Sequence, residues 1–162
     1  MLRAELLRAK RCLRGGPVSE VRAASEGDLV LVRQLLEAAG LPTADLDEAR
    51  PEFTVLTEGT RIVAAGALER FGPSALLRSV VVAADRRGAG LGSAVVRELE
   101  CRARAARIDC VVLLTRTASK FFTDQGYEAI ERTDAPVAVQ ASGEFRALCP
   151  ASAICMMKLL AA

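Results

Sequence analysis

The sequence predicts an α/β fold, and three stretches of the chain lead to that prediction. Residues 76–102 combine a β-prone apolar run, a glycine-rich turn and a helix with one apolar face. Residues 53–57 and 61–68 are two further strands, and the Glu-Gly-Thr segment 58–60 between them is a hairpin signal. Residues 110–114 form a continuous apolar run, which is typical of a strand covered on both faces.

The first elements of the chain are less strongly marked. Residues 18–23 alternate well enough for a strand. Ser25 is a suitable N-cap for a helix over residues 26–39, and Gly40 ends that helix. A short, weak helical segment over residues 43–49 precedes the hairpin. The buried side of the first helix is predicted to consist of Leu29, Val32, Leu35 and Leu36.

The glycine-rich turn of residues 87–92 lies between the central strand and the helix that follows it. Gly88, Gly90 and Gly92 keep side chains away, so several backbone N–H groups can converge on one anion. The start of the helix adds unpaired N–H groups and the positive end of the helix dipole. The stretch therefore predicts a binding site for a phosphate-bearing ligand. The apolar face of the helix consists of Leu91, Val95, Leu99 and Ala103.

The C-terminal part of the chain continues the alternation of strands and helices. Residues 117–125 are predicted to form a short helix that Gly126 ends, and residues 127–130 a short strand. Residues 136–141 are expected to form one helical turn, and residues 153–160 the last strand.

The length and charge of the chain limit what it can be. Its 162 residues fit a single domain, predicted over residues 17–162, behind a basic segment of residues 1–16 that is either a tail or an extra helix. The balance of 22 basic and 20 acidic residues argues against a nucleic-acid partner. No apolar run reaches membrane-spanning length, and the N-terminus lacks the features of a secretory signal. We therefore expect a cytoplasmic protein without a membrane partner.

The residue types that are missing exclude several chemistries. The chain has no histidine, and its five cysteines show no C-x-x-C spacing, so we expect no bound metal. An odd number of cysteines in a cytoplasmic chain favours free thiols. Without histidine, Ser-His and Cys-His catalytic pairs are excluded, together with the common hydrolases that use them.

The spacing of the glycine-rich turn narrows the choice of ligand. A dinucleotide fingerprint needs a third glycine where Ser93 stands, and a P-loop needs a lysine that the turn lacks. Arg87, Gly90 and Gly92 instead fill the pattern Arg/Gln-x-x-Gly-x-Gly/Ala, directly after a strand and at the start of a helix. The stretch resembles the acetyl-CoA motif of the GNAT superfamily of N-acetyltransferases. A glycine turn without a ligand is the alternative.

The predicted order of elements, from residue 18 to residue 160, also matches the fold of that superfamily. This resemblance implies a mixed, twisted sheet of about six to seven strands with helices on both sides.

Three segments, residues 75–80, 114–127 and 148–156, look like a narrower group. The first two resemble amino-acid N-acetyltransferases of the N-acetylglutamate synthase type, and all three look like bacterial N-acetyltransferases associated with arsenic resistance. The resemblance implies acetyl transfer from acetyl-CoA to the amino group of a small amino acid or amino-acid-like compound, including a toxic arsenic-containing or phosphinate analogue. N-acetylglutamate synthesis is one alternative. A non-catalytic acyl-CoA-binding sensor or subunit is an alternative from another class.

The resemblance further implies where acetyl-CoA binds. The backbone of Val80, Val81 and Val82 would pair with the pantetheine arm like an extra strand. The backbone N–H of Val80 would also bind the thioester oxygen, where negative charge develops during transfer. The residues that would cradle the pyrophosphate are Arg87, Gly88, Ala89, Gly90, Leu91, Gly92 and Ser93.

A catalytic base is needed because the amine must lose a proton before it attacks. Without histidine, a carboxylate that acts through water is the simplest base. Glu69 is the first candidate, as base and as substrate contact, because it ends the strand next to the central one. An exposed strand-end glutamate is the alternative, and Glu52 and Asp124 are weaker candidates.

Arg78 lies in the otherwise apolar central strand, two positions before Val80. A buried guanidinium is costly unless it meets an anion. We predict that Arg78 holds the carboxylate of the substrate as a bidentate clamp, which agrees with the resemblance to amino-acid acetyltransferases. The alternative is a structural ion pair with a partner such as Glu69.

The sequence departs from the family at Phe122, where many members have the tyrosine that protonates the CoA thiolate. Tyr127 comes too late and matches a core aromatic residue. The proton donor to the thiolate is therefore unassigned, with water as one candidate.

Two further features have structural interpretations. Cys149 and Cys155 could suggest arsenic binding, but Cys155 lies in an apolar strand and is expected to be a small buried residue. Residues 136–148 are expected to form a loop over the acceptor pocket or the contact of a homodimer.

Overall fold

The computed structural model describes residues 19–161, which form one mixed β-sheet with helices on both faces. This confirms the predicted fold class. The strands of the described residues are β1 (Ser19–Ala23), β2 (Glu52–Glu58), β3 (Arg61–Phe71), β4 (Ser74–Val82), β5 (Cys110–Thr115), β6 (Glu128–Ile130) and β7 (Ile154–Leu159). The helices are α1 (Asp28–Ala38), α2 (Leu46–Ala49), α3 (Leu91–Ala105), α4 (Ser119–Asp124) and α5 (Val137–Gln140), with a π-helical turn at Glu144–Leu148.

The strands lie in the order β1-β2-β3-β4-β5-β7-β6. Neighbouring strands are antiparallel, except that β4 and β5 are parallel. A parallel pair needs a crossover connection, and α3 supplies it between β4 and β5. The predicted hairpin turn between β2 and β3 is present, with Gly59 at a φ of 61°.

Helices cover both faces of the sheet because consecutive residues of its central strands point to opposite faces and are buried on both. On one face, α3 packs through Val95 and Leu99. On the other face, α1 packs through Val32 and Leu36. The same face carries α5, whose Val139 contacts a cluster around Leu76.

A β-bulge interrupts β4 at Ser79 and Val80. The pairing with β3 shifts there, so both residues lie opposite Gly66, and Ser79 adopts a φ of 57°. The parallel pairing of β4 with β5 covers only residues 74–76 and 110–112. The two strands therefore separate beyond Leu76 and Val112, and they leave a cleft at the centre of the sheet.

Two details of α1 differ from the sequence prediction. Leu29 is 44% exposed, because α1 contacts the sheet with the side that carries Val32 and Leu36. Ser25 does not cap the helix with its side chain. Its backbone N–H and its hydroxyl instead donate to the Asp28 carboxylate, at 2.7 and 2.9 Å, and the helix begins at Asp28.

The predicted N-terminal tail or extra helix of residues 1–16 lies outside the described residues. Within residues 19–161, no helix combines the length and the apolar character that a membrane span requires.

Gly66 of β3 lies directly against the buried side chains of α3. A Cβ on Gly66 would lie 2.8 Å from Leu99 Cδ1 and 2.9 Å from Val95 Cγ1, and both side chains are fully buried. We expect Gly66→Ala to lower the free energy of unfolding by about 1–3 kcal/mol, the usual cost of overpacking a core. Urea denaturation of the variant measures this change.

Gly27→Ala is the matched control. Gly27 has helical dihedral angles, and a Cβ there would meet nothing closer than 3.8 Å. Alanine at such a position should leave stability unchanged or raise it by up to about 1 kcal/mol. Equal stabilities of the two variants would show that the contact between Gly66 and α3 is not tight.

Candidate active site

A cavity of about 470 Å³ opens where β4 and β5 separate. Its walls come from separate parts of the chain, which the fold brings together at the bulge. The lining residues are 39–42 after α1, 77–80 of β4, 113–118 at and beyond the end of β5, Phe122 of α4, and Glu144 with 148–150 around the π-helical turn.

Arg78 lies in the wall of this cavity, and none of its side chain is exposed. Asp45, which directly precedes α2, accepts two hydrogen bonds of 2.6 Å from the two terminal nitrogens of Arg78. Glu69 of β3 accepts a third, of 3.0 Å. These bonds keep the guanidinium charged and fix its orientation. The ion pair of Arg78 with Glu69, predicted as the alternative to a substrate clamp, is therefore present.

Glu144 is the third carboxylate beside Arg78, and it is held differently. Its Oε1 lies 3.3 Å from Arg78 Nε, but the two groups lack hydrogen-bond geometry, and Nε is a buried donor without a partner in the described part of the chain. The Glu144 side chain is 7% exposed and lines the cavity. Glu144 is thus the carboxylate of this cluster that the protein binds least tightly.

The surroundings of Glu144 raise its proton affinity. Burial raises the pKa of Glu144 from 4.5 to about 7, although the charge of Arg78 opposes the shift. The negative charges of Asp45 and Glu69 add to the increase. A carboxyl group with a pKa near neutrality, in a cavity wall, can accept a proton at physiological pH.

Glu144 was not among the residues predicted from the sequence, because no strand or helix pattern marks its segment. One signal was available: Glu144 is the only acidic residue within residues 136–148, the segment predicted to cover the acceptor pocket. Glu144 and Leu148 of that segment line the cavity.

The other candidate bases lie apart from the cavity lining. Glu52 is exposed and pairs with Arg70, and Asp124 is exposed and pairs with Lys120. Glu69 contacts the cluster through Arg78, so its role as base or substrate contact stays a prediction.

The loop predicted to cradle a pyrophosphate has suitable geometry. Gly88 and Gly90 have φ values of 82° and 79°, which favour glycine, and a Cβ on either would meet no atom within 4 Å. Gly90 precedes α3, and no side chain caps the first turn of that helix. Its unpaired N–H groups and the open space above them fit an anion.

The rest of this loop is ordered by its neighbours. Arg87 donates from Nε to the Val82 carbonyl oxygen at 3.3 Å, and its side chain is exposed. Ser93 Oγ accepts a hydrogen bond of 2.8 Å from Gln125, which joins the start of α3 to the end of α4. The central strand that would bind pantetheine, Val80 to Val82, leads directly into this loop.

Phe122 lines the cavity in place of a tyrosine. Tyr127 is buried and packs edge-on against Phe122, with ring centroids 5.7 Å apart, so its prediction as a core aromatic is confirmed.

Burial raises the pKa of both the Cys149 and the Cys155 thiol to about 11, and both thiols therefore stay protonated near neutral pH. Among the described residues, no group of His, Cys, Asp and Glu could hold a metal ion.

Comparison with known protein families assigns the chain. Residues 49–129, half of its length, match the acetyltransferase (GNAT) domain family. The chain belongs to the GNAT family. This confirms the predicted superfamily and its acetyl-CoA co-substrate, since members of the GNAT family are acetyl-CoA N-acetyltransferases. None of the curated proteins matches this GNAT protein in sequence.

Solved structures of other GNAT proteins share the fold. N-acetylglutamate synthase from Neisseria gonorrhoeae, complexed with coenzyme A and N-acetyl-glutamate, superimposes with a TM-score of 0.77 at 16% identity. The alignment covers 91% of this chain but only 36% of the synthase. Rv2747 from Mycobacterium tuberculosis, in complex with CoA and NLQ, gives a TM-score of 0.75 at 25% identity and covers 88% and 99% of the two chains.

A third structure represents a different kind of acceptor. The ribosomal-protein-S18-alanine N-acetyltransferase from Escherichia coli gives a TM-score of 0.68 at 16% identity, with 89% of this chain and 95% of the enzyme covered. The fold is therefore shared by proteins whose names refer to a free amino acid and to a protein substrate.

The glycine loop provides a test of acetyl-CoA binding. Gly90→Ala would place a Cβ in the open space above the loop and would strain a backbone with positive φ. CoA should raise the melting temperature of the wild type by several degrees and that of the variant by much less, because only the wild-type loop can approach the pyrophosphate.

Gly59→Ala is the matched control for this test. Gly59 has a φ of 61°, and a Cβ there also meets no atom within 4 Å, but it lies in the β2–β3 turn. This control should lose similar stability and keep the full response to CoA. Equal responses of both variants would place the pyrophosphate elsewhere.

The raised pKa of Glu144 makes stability depend on pH. Between pH 4.5 and about 7 the folded protein retains a proton that the unfolded chain has released, so the free energy of unfolding falls as the pH rises. The shift corresponds to a loss on the order of 3 kcal/mol across this window. Glu144→Gln should not show this loss. In urea denaturation at pH 5 and pH 8, parallel changes in the two proteins would contradict the raised pKa.

Proposed function

We propose that the protein transfers an acetyl group from acetyl-CoA to the amino group of a small amino acid or amino-acid-like compound, with Glu144 as the catalytic base. The observation that carries this proposal is a buried carboxyl group, with a pKa near 7, in the wall of a cavity that opens between β4 and β5. The same cavity is bounded by Val80, and β4 leads from it to the anion-binding loop.

The chain's own residues would orient the co-substrate. Bound acetyl-CoA supplies the acetyl thioester. Residues 87–93 would hold its pyrophosphate, and the backbone of residues 80–82 would hold its pantetheine arm in the cleft. The bulge at Ser79 and Val80 leaves backbone groups outside the regular ladder, and the Val80 N–H would bind the thioester oxygen.

Glu144 would accept the proton of the acceptor amine. An ammonium group is favoured near the cluster, since three carboxylates face a single guanidinium there. Asp45 and Glu69 are committed to hydrogen bonds with Arg78, whereas Glu144 accepts none from the described residues. Glu144 can therefore take up a proton without breaking a hydrogen bond. Glu69 would raise the proton affinity of Glu144 rather than act as the base itself.

The acceptor class rests on the size and charge of the site and on the structural relatives. A synthase complexed with N-acetyl-glutamate shares the fold over 91% of this chain, so an N-acetylglutamate synthase-like reaction is the second candidate. Phosphinate and arsenic-containing analogues of amino acids offer the same amino group and an anionic group beside it. A turnover panel should therefore include them along with the standard amino acids.

Turnover of acetyl-CoA tests the proposal. The wild type should release CoA thiol in the presence of free amino acids, and kcat/KM should rise with pH to about 7 as Glu144 loses its proton. Glu144→Gln should lower kcat by about 10²-fold or more and remove this acid limb.

Glu69→Gln distinguishes the two candidate bases. If Glu144 is the base, removing the charge of Glu69 lowers the pKa of Glu144 and moves the acid limb to lower pH. If Glu69 is the base, Glu69→Gln removes the acid limb of the kcat/KM pH profile, whereas Glu144→Gln retains it. CoA binding without turnover of any amine would instead indicate a non-catalytic acyl-CoA-binding protein.

A further inference from the structure

A second guanidinium borders the cavity. Arg116 directly follows β5, its side chain is exposed, and it lines the same cavity as Glu144. We propose that Arg116 binds the carboxylate of the acceptor and thereby selects free amino acids. This inference rests on the proposed acetyl transfer and names the group that recognises its acceptor.

Arg78 is poorly suited to this task, although the sequence suggested it. Its terminal nitrogens already donate to Asp45 and Glu69, and its Nε faces Glu144. A substrate carboxylate would be the fourth anion around one cation. Electrostatic repulsion from Asp45, Glu69 and Glu144 would oppose its binding there.

Arg116 has no such commitment. Among the described residues, its side chain makes no hydrogen bond and no ion pair, whereas nearby Arg132 donates to the Pro150 carbonyl oxygen and lies over the Phe145 ring. The charged residues that line the cavity are Arg78, Glu144 and Arg116. Arg116 is therefore the positive charge of the cavity lining that is available to a ligand.

The charge of Arg116 also acts on Cys149, which lines the inner wall of the cavity. Burial raises the pKa of the Cys149 thiol, and Arg116 is one of the positive charges that oppose this increase. Cys149 follows the π-helical turn that begins with Glu144 and lines the cavity with it. Arg116 and the proposed catalytic base Glu144 thus face the same cavity.

These positions allow a division of roles between the two ends of an α-amino acid. The amino group would lie at Glu144, and the planar guanidinium of Arg116 would bind the carboxylate with two parallel hydrogen bonds. The N-terminus of a peptide has an amide in place of that carboxylate. Arg116 should therefore favour free amino acids over peptide and protein N-termini.

The test compares an amino acid with its amide. The standard L-amino acids and their phosphinate and arsenic-containing analogues are first assayed with wild-type protein, and the best is then compared with its α-amide in Arg116→Gln, Arg116→Lys and the control Arg146→Gln. Arg146 is exposed and does not line the cavity. Melting temperatures with and without CoA show that each variant is folded and binds CoA.

We expect Arg116→Gln to lower kcat/KM for the amino acid by about 10- to 100-fold, mainly through KM, the range expected for a charged hydrogen bond. Arg116→Lys should recover part of the loss, and Arg146→Gln should match the wild type. The amide should be a poor substrate for every variant, with little change between them.

Two results would overturn the inference while leaving the proposed function intact. One is an unchanged preference for the amino acid over its amide in Arg116→Gln. The other is a rise in KM for acetyl-CoA alone, which would make Arg116 a contact of the co-substrate. Failure of the proposed function is separate, because wild-type protein would then acetylate no free amino acid in the first assay, and the inference would fail with it.

Discussion

Arg78 is buried within the sheet, and its charge must be balanced there because a guanidinium does not lose its proton in a protein. The balancing carboxylates come from Asp45 before α2, Glu69 in β3 and Glu144 in the π-helical turn. A single buried charge therefore fixes three segments that are far apart in sequence. Loss of Arg78 would leave three carboxylates uncompensated, which is the costly way to disrupt a buried ion pair.

The same cluster connects the fold with the proposed chemistry. Three carboxylates exceed the one guanidinium that they surround, so the site favours a bound proton, and Glu144 is the group with a pKa raised to about 7. This group lines the cavity that opens beyond Leu76 and Val112, where the pairing of β4 with β5 ends. The proposed base, the backbone of the central strand and the loop proposed to hold the pyrophosphate are thus held by neighbouring parts of one sheet. For acetyl transfer, holding the amine beside the thioester matters more than a strong acid or base.

The fold could be predicted because apolar periodicity and glycine turns are local signals. The strand, loop and helix of residues 76–102 show this, and the same residues led to the correct family. The cluster could not be predicted, since it depends on contacts between residues as far apart as Asp45 and Glu144. Nor does sequence show that Ser79 adopts a positive φ, a conformation that its side chain does not favour. The sequence indicated that a buried Arg78 must meet an anion, but it did not show which one. In the structure, three carboxylates of the protein meet it, and no substrate is needed.

We expect the cluster of Arg78, Asp45 and Glu69 to hold Glu144 partly protonated at neutral pH. The most direct measurement is a ¹³C NMR titration of side-chain carboxyl groups in protein labelled at glutamate, with the Glu144 signal assigned by its absence in Glu144→Gln. The structure predicts a midpoint of about 7 for that signal. A midpoint near 4.5, the ordinary value for a glutamate, would contradict the account of Glu144 as a base tuned by burial beside Arg78.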